Sequence, residues 1–254
     1  MPRRIAVVPA YNEEPTVAPV LDRLYPLVDE LVVVDDGSTD RTRAEIERWL
    51  PGHAHARLLC HARNQGMSEA YYLAFSDLRA RLAAGELDPA DLIFTVDADG
   101  QHELAVLDEL QRIAESERLD ALLVRRDLST YPADKRLGNW LISRWASLWA
   151  GVRLLDVESG YRIFRLGALA DALNYYTGYQ YSETVEVAVV LGRLGYRVRN
   201  DVMVPVPVFR SRTRLKDAAI DLAMIPAAAL RVARRRPRRT PAVPAAQPPG
   251  RQGT

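Results

Sequence analysis

Between residues 5 and 124, short apolar runs alternate with segments of helical spacing, and this alternation constrains the fold more than any other feature. Residues 5–8, 31–34, 57–59, 92–96 and 121–124 read as strands. After Pro15, the residues Val17, Val20, Leu21 and Leu24 share one helical face; Ile46, Trp49 and Leu50 share another. Residues 66–84 and 103–117 also read as helices. Strands separated by helices predict an α/β fold, with a mostly parallel central sheet and helices on both faces. In such a sheet, ligands gather at the C-terminal strand ends.

Polar clusters stand at three of those ends. Pro9-Ala10-Tyr11-Asn12-Glu13 follows the first run, Asp35-Asp36-Gly37-Ser38 the second, and Asp97-Ala98-Asp99 the fourth. Along an extended chain, residues two apart point the same way, so Asp97 and Asp99 are expected on one side. Two hard oxygen donors so placed suit Mg²⁺ or Mn²⁺ held against a diphosphate. Acids at strand ends also open turns and cap helices. Three clusters at equivalent positions favour a site. The later chain is less regular. A helix over about 135–150 carries Trp140, Trp145 and Trp149, which are expected in the core or a lid rather than as a sugar platform. A helix near 182–194 and strands near 196–198 and 202–208 follow, and no internal repeat is visible.

A chain of 254 residues with 48% apolar content fits one large domain over residues 1–230 and an appended tail. The net charge of +1 conceals a split: residues 231–254 hold seven Arg and no acid, while the remaining 27 basic residues face 33 acids. The Pro/Ala/Arg-rich tail shows no apolar period and is expected to be disordered. No aromatic residue interleaves it, and the body is acidic, which argues against nucleic acid as a partner. A single cysteine, Cys60, excludes an internal disulfide and a multi-cysteine metal site; it is expected as a small buried residue. The opening residues do not form a signal peptide, and no apolar stretch reaches the length of a membrane span. Residues 218–233 come nearest but contain Asp221, Pro226 and Arg231, so a helix on or under the body is expected. These readings predict a cytoplasmic protein, with peripheral contact at the inner membrane face through the basic tail.

The ordered set Pro9-Ala10-Tyr11-Asn12-Glu13, Val34-Asp35-Asp36-Gly37-Ser38-Thr39-Asp40, Asp97-Ala98-Asp99-Gly100-Gln101-His102 and Ser159-Gly160-Tyr161-Arg162 resembles the family 2 glycosyltransferases of GT-A fold. The branch it looks closest to is the dolichol-phosphate mannose synthase-like group, over about residues 3–217. The resemblance implies a Rossmann-like nucleotide-binding half over about 1–125 and an acceptor half over 126–230. It implies a nucleotide-diphosphate-sugar donor, Mg²⁺ or Mn²⁺, and inversion at the anomeric carbon. Pro9, Tyr11 and Glu13 would then line the base and ribose pocket, and Asp36 would contact the base. Asp97 and Asp99, with Ala98 between them, would flank the metal and diphosphate, and Gln101 would be a further metal ligand. Asp35 reads as structural, pinning the turn before Ser38. The chain departs from the branch after His102, where Glu103-Leu104 replaces the usual Pro, and at Met67-Ser68-Glu69 after Asn64-Gln65-Gly66. The basic loop near the end reads Arg210-Ser211-Arg212-Thr213-Arg214-Leu215-Lys216. None of the C-terminal membrane helices frequent in the branch is expected within residues 1–254.

A departing nucleoside diphosphate develops negative charge that a metal and cations stabilise. Arg125, Arg126 and Arg136 follow the fifth strand as candidate phosphate clamps, and Arg212, Arg214 and Lys216 are placed to close over the site. A polyprenyl (dolichyl-type) phosphate acceptor is already ionised and attacks unaided. A hydroxyl of a small-molecule acceptor needs a carboxylate base. Asp156, Glu158, Glu183 and Glu186 are the candidates. Asp156 is the first choice and joins Asp99 in the expected catalytic set, with pairing to Arg153 or Arg162 as its structural alternative. The expected activity is metal-dependent sugar transfer to a polyprenyl phosphate; the same donor chemistry onto a hydroxyl is the alternative.

Overall fold

Strand β1 (Arg4–Ala10) alternates between two cores, because the sheet is covered on both faces. Ile5 and Val7 join one core; Ala6, Val8 and Ala10 join the other. β2 (Glu30–Asp35) repeats the division, with Val32 and Val34 on the first side and Leu31 and Val33 on the second. The computed structural model describes residues 2–177, 183–205 and 215–234.

Among those residues, β3 (Ala56–Cys60), β2, β1 and β4 (Leu92–Thr95) run parallel, with Ala10 beside Asp35 and Val7 beside Thr95. The sheet continues through β7 (Arg162–Arg165), β5 (Ala121–Leu123) and β8 (Val198–Arg199), in the order β3-β2-β1-β4-β7-β5-β8. β6 (Arg125–Arg126) pairs with β9 (Met203–Val204) as a small separate ribbon. Helices α1 (Val17–Leu24), α2 (Thr42–Trp49) and α4 (Leu107–Ser116) pack on one face through Leu21, Ile46 and Leu110. The other face carries α3 (Met67–Ala83), α5 (Ala133–Ala150), α6 (Leu166–Ala172), α7 (Glu183–Leu194) and α8 (Leu215–Arg234). Phe75, Ile142, Leu169, Val189 and Ile225 join those five helices in one core.

The sequence does not announce β7, which runs antiparallel to both β4 and β5. It holds two apolar residues between two arginines, too short a run to show a period. Its reversal matters for the site. Arg162 pairs with Thr95 at the C-terminal end of β4, so residues 158–161 arrive at the sheet edge where Asp97 begins its turn. Thr95 Oγ1 donates to Gly160 O at 2.5 Å and fixes that arrival.

One expectation fails and a second holds only in part. Cys60 is exposed, because it ends the edge strand β3. Trp140 is 56% exposed and Trp145 36% exposed, so these rings are not core; only Trp149 packs against the core, half-buried. The amphipathic face of α5 is satisfied by Ile142, Ala146 and Ala150, which leaves Trp140 and Trp145 facing outward.

Candidate active site

The three strand-end clusters converge on a cleft of about 300 Å³. Its walls include Pro9, Tyr11, Glu13, Asp36, Asp97, Ala98, Asp99 and Gln101, every residue assigned by resemblance to the first half of the chain. Arg126, Tyr131, Glu158 and Asp221 close it from the second half.

The β1 loop turns sharply because Asn12 takes a left-handed φ of 54°. Its amide N–H donates to Ser38 Oγ at 3.1 Å, and its side-chain oxygen accepts from Thr39 N at 2.9 Å. Asn12 thus ties the first cluster to the second instead of capping a helix. Asp35 accepts from Ser38 N at 3.2 Å, the expected turn-pinning role. Glu13 is buried, with its amide on Thr42 Oγ1 at 2.8 Å and its carboxylate receiving Thr16 Oγ1 at 3.1 Å.

Asp36 works hard within the protein. Its carboxylate accepts from Gln65 N at 3.0 Å, from Gly66 N at 2.8 Å and from His61 Nδ1 at 2.6 Å. Gly37 permits this. With φ at +65°, a Cβ there would lie 2.3 Å from the Arg63 carbonyl carbon, so only glycine lets the 63–66 segment come so close.

Beyond Thr95 the chain leaves the strand and turns through Ala98 and Asp99, closing at Gly100 with φ at 78°. The carboxylates therefore reach the cleft from a turn, not by strand alternation. Asp97 meets Tyr71 Oη at 3.4 Å and His102 Nε2 at 3.4 Å. The Asp97 amide donates to His102 Nδ1 at 3.2 Å, so a neutral ring carries its proton on Nε2, toward the carboxylate. His102 in turn stacks on Tyr161 at 4.6 Å between ring centroids. Gly160 leaves Asp97 its space, since a Cβ would sit 3.0 Å from Oδ2. Asp99 accepts from the Gln101 amide N at 3.0 Å and from the Gln101 side-chain amide. Among the described residues, no group of three or more His, Cys, Asp or Glu forms a metal cage. Two carboxylates at a cleft suit Mg²⁺ or Mn²⁺ that takes its other ligands from a diphosphate and water.

The second half departs from expectation at Asp156. That carboxylate is 1% exposed and does not line the cleft. Arg126 covers it, donating from its backbone N at 2.9 Å, Nε at 2.8 Å and Nη2 at 2.8 Å. Its partner is neither Arg153 nor Arg162. Burial works against the Arg126 charge, but Asp156 holds the guanidinium firmly protonated, above its ordinary value. Of the four candidate bases, Glu158 is the one that faces the cleft, and burial pushes its pKa up against the counter-effect of Arg126. Asn139, with its amide oriented to donate, lies 2.9 Å from both Asp156 Oδ1 and Glu158 Oε2. Arg126 also stands over the Tyr131 ring, 6.0 Å from its centroid.

Arg125 and Arg136 are exposed and do not line the cleft. Arg212 and Arg214 lie outside the described residues, and Lys216 lies where only the helix backbone of α8 is described. Glu183 and Glu186 are buried away from solvent: Glu183 pairs with Arg162 at 3.1 Å and Glu186 pairs with Arg231. Asp221 had a weak signal, as a lone acid inside the apolar part of α8. Tyr131 had none.

Residues 5–165 match the family model described as Glycosyl transferase family 2. An undecaprenyl-phosphate mannosyltransferase of Micrococcus luteus is 28% identical over 205 residues, covering 77% of this chain and 80% of that protein. A dodecaprenyl-phosphate galacturonate synthase of Rhizobium johnstonii is 32% identical over 171 residues, 63% of this chain and 46% of that one. Among solved structures, glucosyl-3-phosphoglycerate synthase of Mycobacterium tuberculosis, in complex with Mn²⁺, uridine-diphosphate-glucose and glycerol 3-phosphate, superposes with a TM-score of 0.63 at 18% identity, covering 91% of this chain and 80% of that one. The GT-A fold is common to both. With its family model spanning the sheet from β1 to the end of β7, the chain belongs to glycosyl transferase family 2.

Proposed function

We propose that this glycosyltransferase moves a sugar, with inversion, from a nucleotide-diphosphate-sugar to a polyprenyl phosphate. The observation that carries the reading is the joining of a two-carboxylate turn and a locked arginine across one cleft. Pro9, Tyr11, Glu13 and Asp36 would receive the nucleoside, with Tyr11 offering an apolar face and Glu13 an acceptor for ribose hydroxyls. Asp36 would meet the base only through lone pairs its loop contacts leave over. Asp97 and Asp99 would hold a divalent cation, with Gln101 orienting Asp99 through its amide. That cation, when bound, would offset the charge that develops on the departing diphosphate.

Arg126 supports a phosphate acceptor. Its charge is fixed by Asp156 and its side chain borders the cleft. An acceptor phosphate oxygen would form the new bond to the anomeric carbon as that carbon's bond to the diphosphate oxygen breaks. No proton need move. The relatives from Micrococcus luteus and Rhizobium johnstonii, named for undecaprenyl and dodecaprenyl phosphates, support the same acceptor class. Glu158 favours the hydroxyl alternative, since a cleft carboxylate with a raised pKa suits a general base.

The test is nucleoside diphosphate release from a panel of nucleotide sugars with Mg²⁺ or Mn²⁺, comparing a polyprenyl phosphate with the unphosphorylated polyprenol. Turnover with the phosphate alone is expected. Turnover with the alcohol alone, abolished by Glu158→Gln, would replace the reading with the hydroxyl one.

A further inference from the structure

The outward face of α5 is unusually apolar for solvent. Leu137, Trp140, Leu141 and Leu148 are all more than half exposed, with Leu148 at 70%. Their spacing of three, one and seven residues puts them on one side of the helix with Trp145. α8 extends the surface. Trp145 Nε1 donates to Leu222 O at 3.2 Å, which sets exposed Leu222 beside the tryptophan, and Leu230 is exposed two turns on. Such a contiguous patch marks an interaction site.

Charge identifies the occupant. No acid occurs from Lys135 to Leu155, although the body as a whole is acidic. Exposed Arg136, Arg144 and Arg153 lie in that span, and Arg144 sits 6.0 Å from the Trp140 ring centroid. From Leu222 to Thr254 there is no acid either, and the sequence adds Arg234, Arg235, Arg236, Arg238 and Arg239. Tryptophan and leucine rimmed by arginine suit the headgroup boundary of an anionic bilayer. A second protein copy would have to bury the same arginines against each other. No described helix is long and apolar enough to cross a membrane.

We infer that the α5–α8 face seats the protein on an anionic lipid surface, and that this surface presents the acceptor to the cleft. This rests on the polyprenyl phosphate reading. The geometry is direct. Tyr131 borders the cleft just before α5 begins at Ala133, and Leu137 stands in the second turn of that helix. Asp221 also borders the cleft, and its neighbour Leu222 belongs to the apolar face. A phosphate beside Arg126 therefore has its hydrocarbon chain leaving toward the bilayer.

The test uses the full chain, a Leu141→Glu/Leu148→Glu double variant, and a variant lacking residues 235–254. Binding is read by co-sedimentation with vesicles of equal parts phosphatidylglycerol and phosphatidylcholine, and by the blue shift of tryptophan emission. Circular dichroism verifies that the variants fold, which two exposed substitutions should permit. The expected result is roughly tenfold or greater weakening in the double variant, with a short-chain water-soluble isoprenyl phosphate still turned over at the full rate. Vesicle binding unchanged by the double variant, or abolished by the tail deletion alone, would overturn the inference. So would a full-length dimer that ignores vesicles and that the double variant dissociates. Weakened binding of the double variant, with no sugar transfer to any isoprenyl phosphate by the full chain, would uphold the lipid-facing surface and sink the acceptor assignment instead.

Discussion

The two halves of the cleft hold their carboxylates in place by different physics. From β1 to β4, carboxylates are held by backbone amide donors: Asp35 by Ser38, Asp36 by Gln65 and Gly66, Asp99 by Gln101. Beyond β5 the acids are buried and held by arginines: Asp156 by Arg126, Glu183 by Arg162, Glu186 by Arg231. Amide donors leave a carboxylate its charge and its outward lone pairs, so the first half can present acids to a cation. An arginine ion pair consumes them, bidentate at Asp156, so the second half presents mainly the arginine. The lesson is that an acid near a cleft is a candidate only after its partners are counted. Asp156 fails that count and Glu158 passes it.

The largest effect that would break this contrast belongs to Asp97. Asp97→Asn keeps the shape and removes the charge, so kcat should fall about 10²–10³-fold while the fold is retained. Nucleoside diphosphate release measures the loss; metal-free nucleotide binding by calorimetry should persist. An active Asp97→Asn enzyme would show that the acids of the first half do not serve a cation.

Next comes Arg162, which is fully buried and donates from Nε to Ser159 O at 2.6 Å besides its pairing with Glu183. Removing one member of a buried pair leaves an uncompensated charge, worth about 3–5 kcal/mol. Arg162→Met should therefore cost that much in urea unfolding, and it should also lower kcat, since the Ser159–Gly160 segment abuts Asp97. The double variant Arg162→Met/Glu183→Gln should recover much of the stability. Asp156→Asn should cost somewhat less than Arg162→Met, because Arg126 is partly open to solvent. Its kinetic signature should be a raised KM for the acceptor. Loss of kcat with stability intact would restore Asp156 as a base.

The first half was legible in the sequence because its order is local. Each strand ends in a motif a few residues long, and the parallel sheet brings those ends together without further information. That reasoning recovered Pro9, Tyr11, Glu13, Asp36, Asp97, Ala98 and Asp99 as neighbours, with Gln101 added by the family resemblance, though it took the Asp97–Asp99 turn for strand. The second half depends on pairings 21 to 45 residues apart, such as Arg162 with Glu183 and Glu186 with Arg231, which no local pattern announces. Antiparallel β7 was hidden for the same reason. Core Trp149 is not told from outward Trp140 and Trp145 in the sequence, because a core helix and a helix with two apolar faces look alike in a short window.

The smallest predicted effect is the sharpest probe of the second half. Burial raises the pKa of Glu158 in the folded chain above its ordinary 4.5, with Arg126 opposing. A folded pKa above the unfolded one means the native state binds the proton more tightly. Glu158 therefore favours folding most when protonated, below the unfolded value, and that contribution is lost as pH rises through the folded value. Gln resembles the protonated acid at every pH. Glu158→Gln should match the native chain in melting temperature near pH 4 and exceed it by a few degrees near pH 8. A difference that stays constant from pH 4 to pH 8 would mean that Glu158 ionises as it does in water. It would then belong with the amide-held acids of the first half.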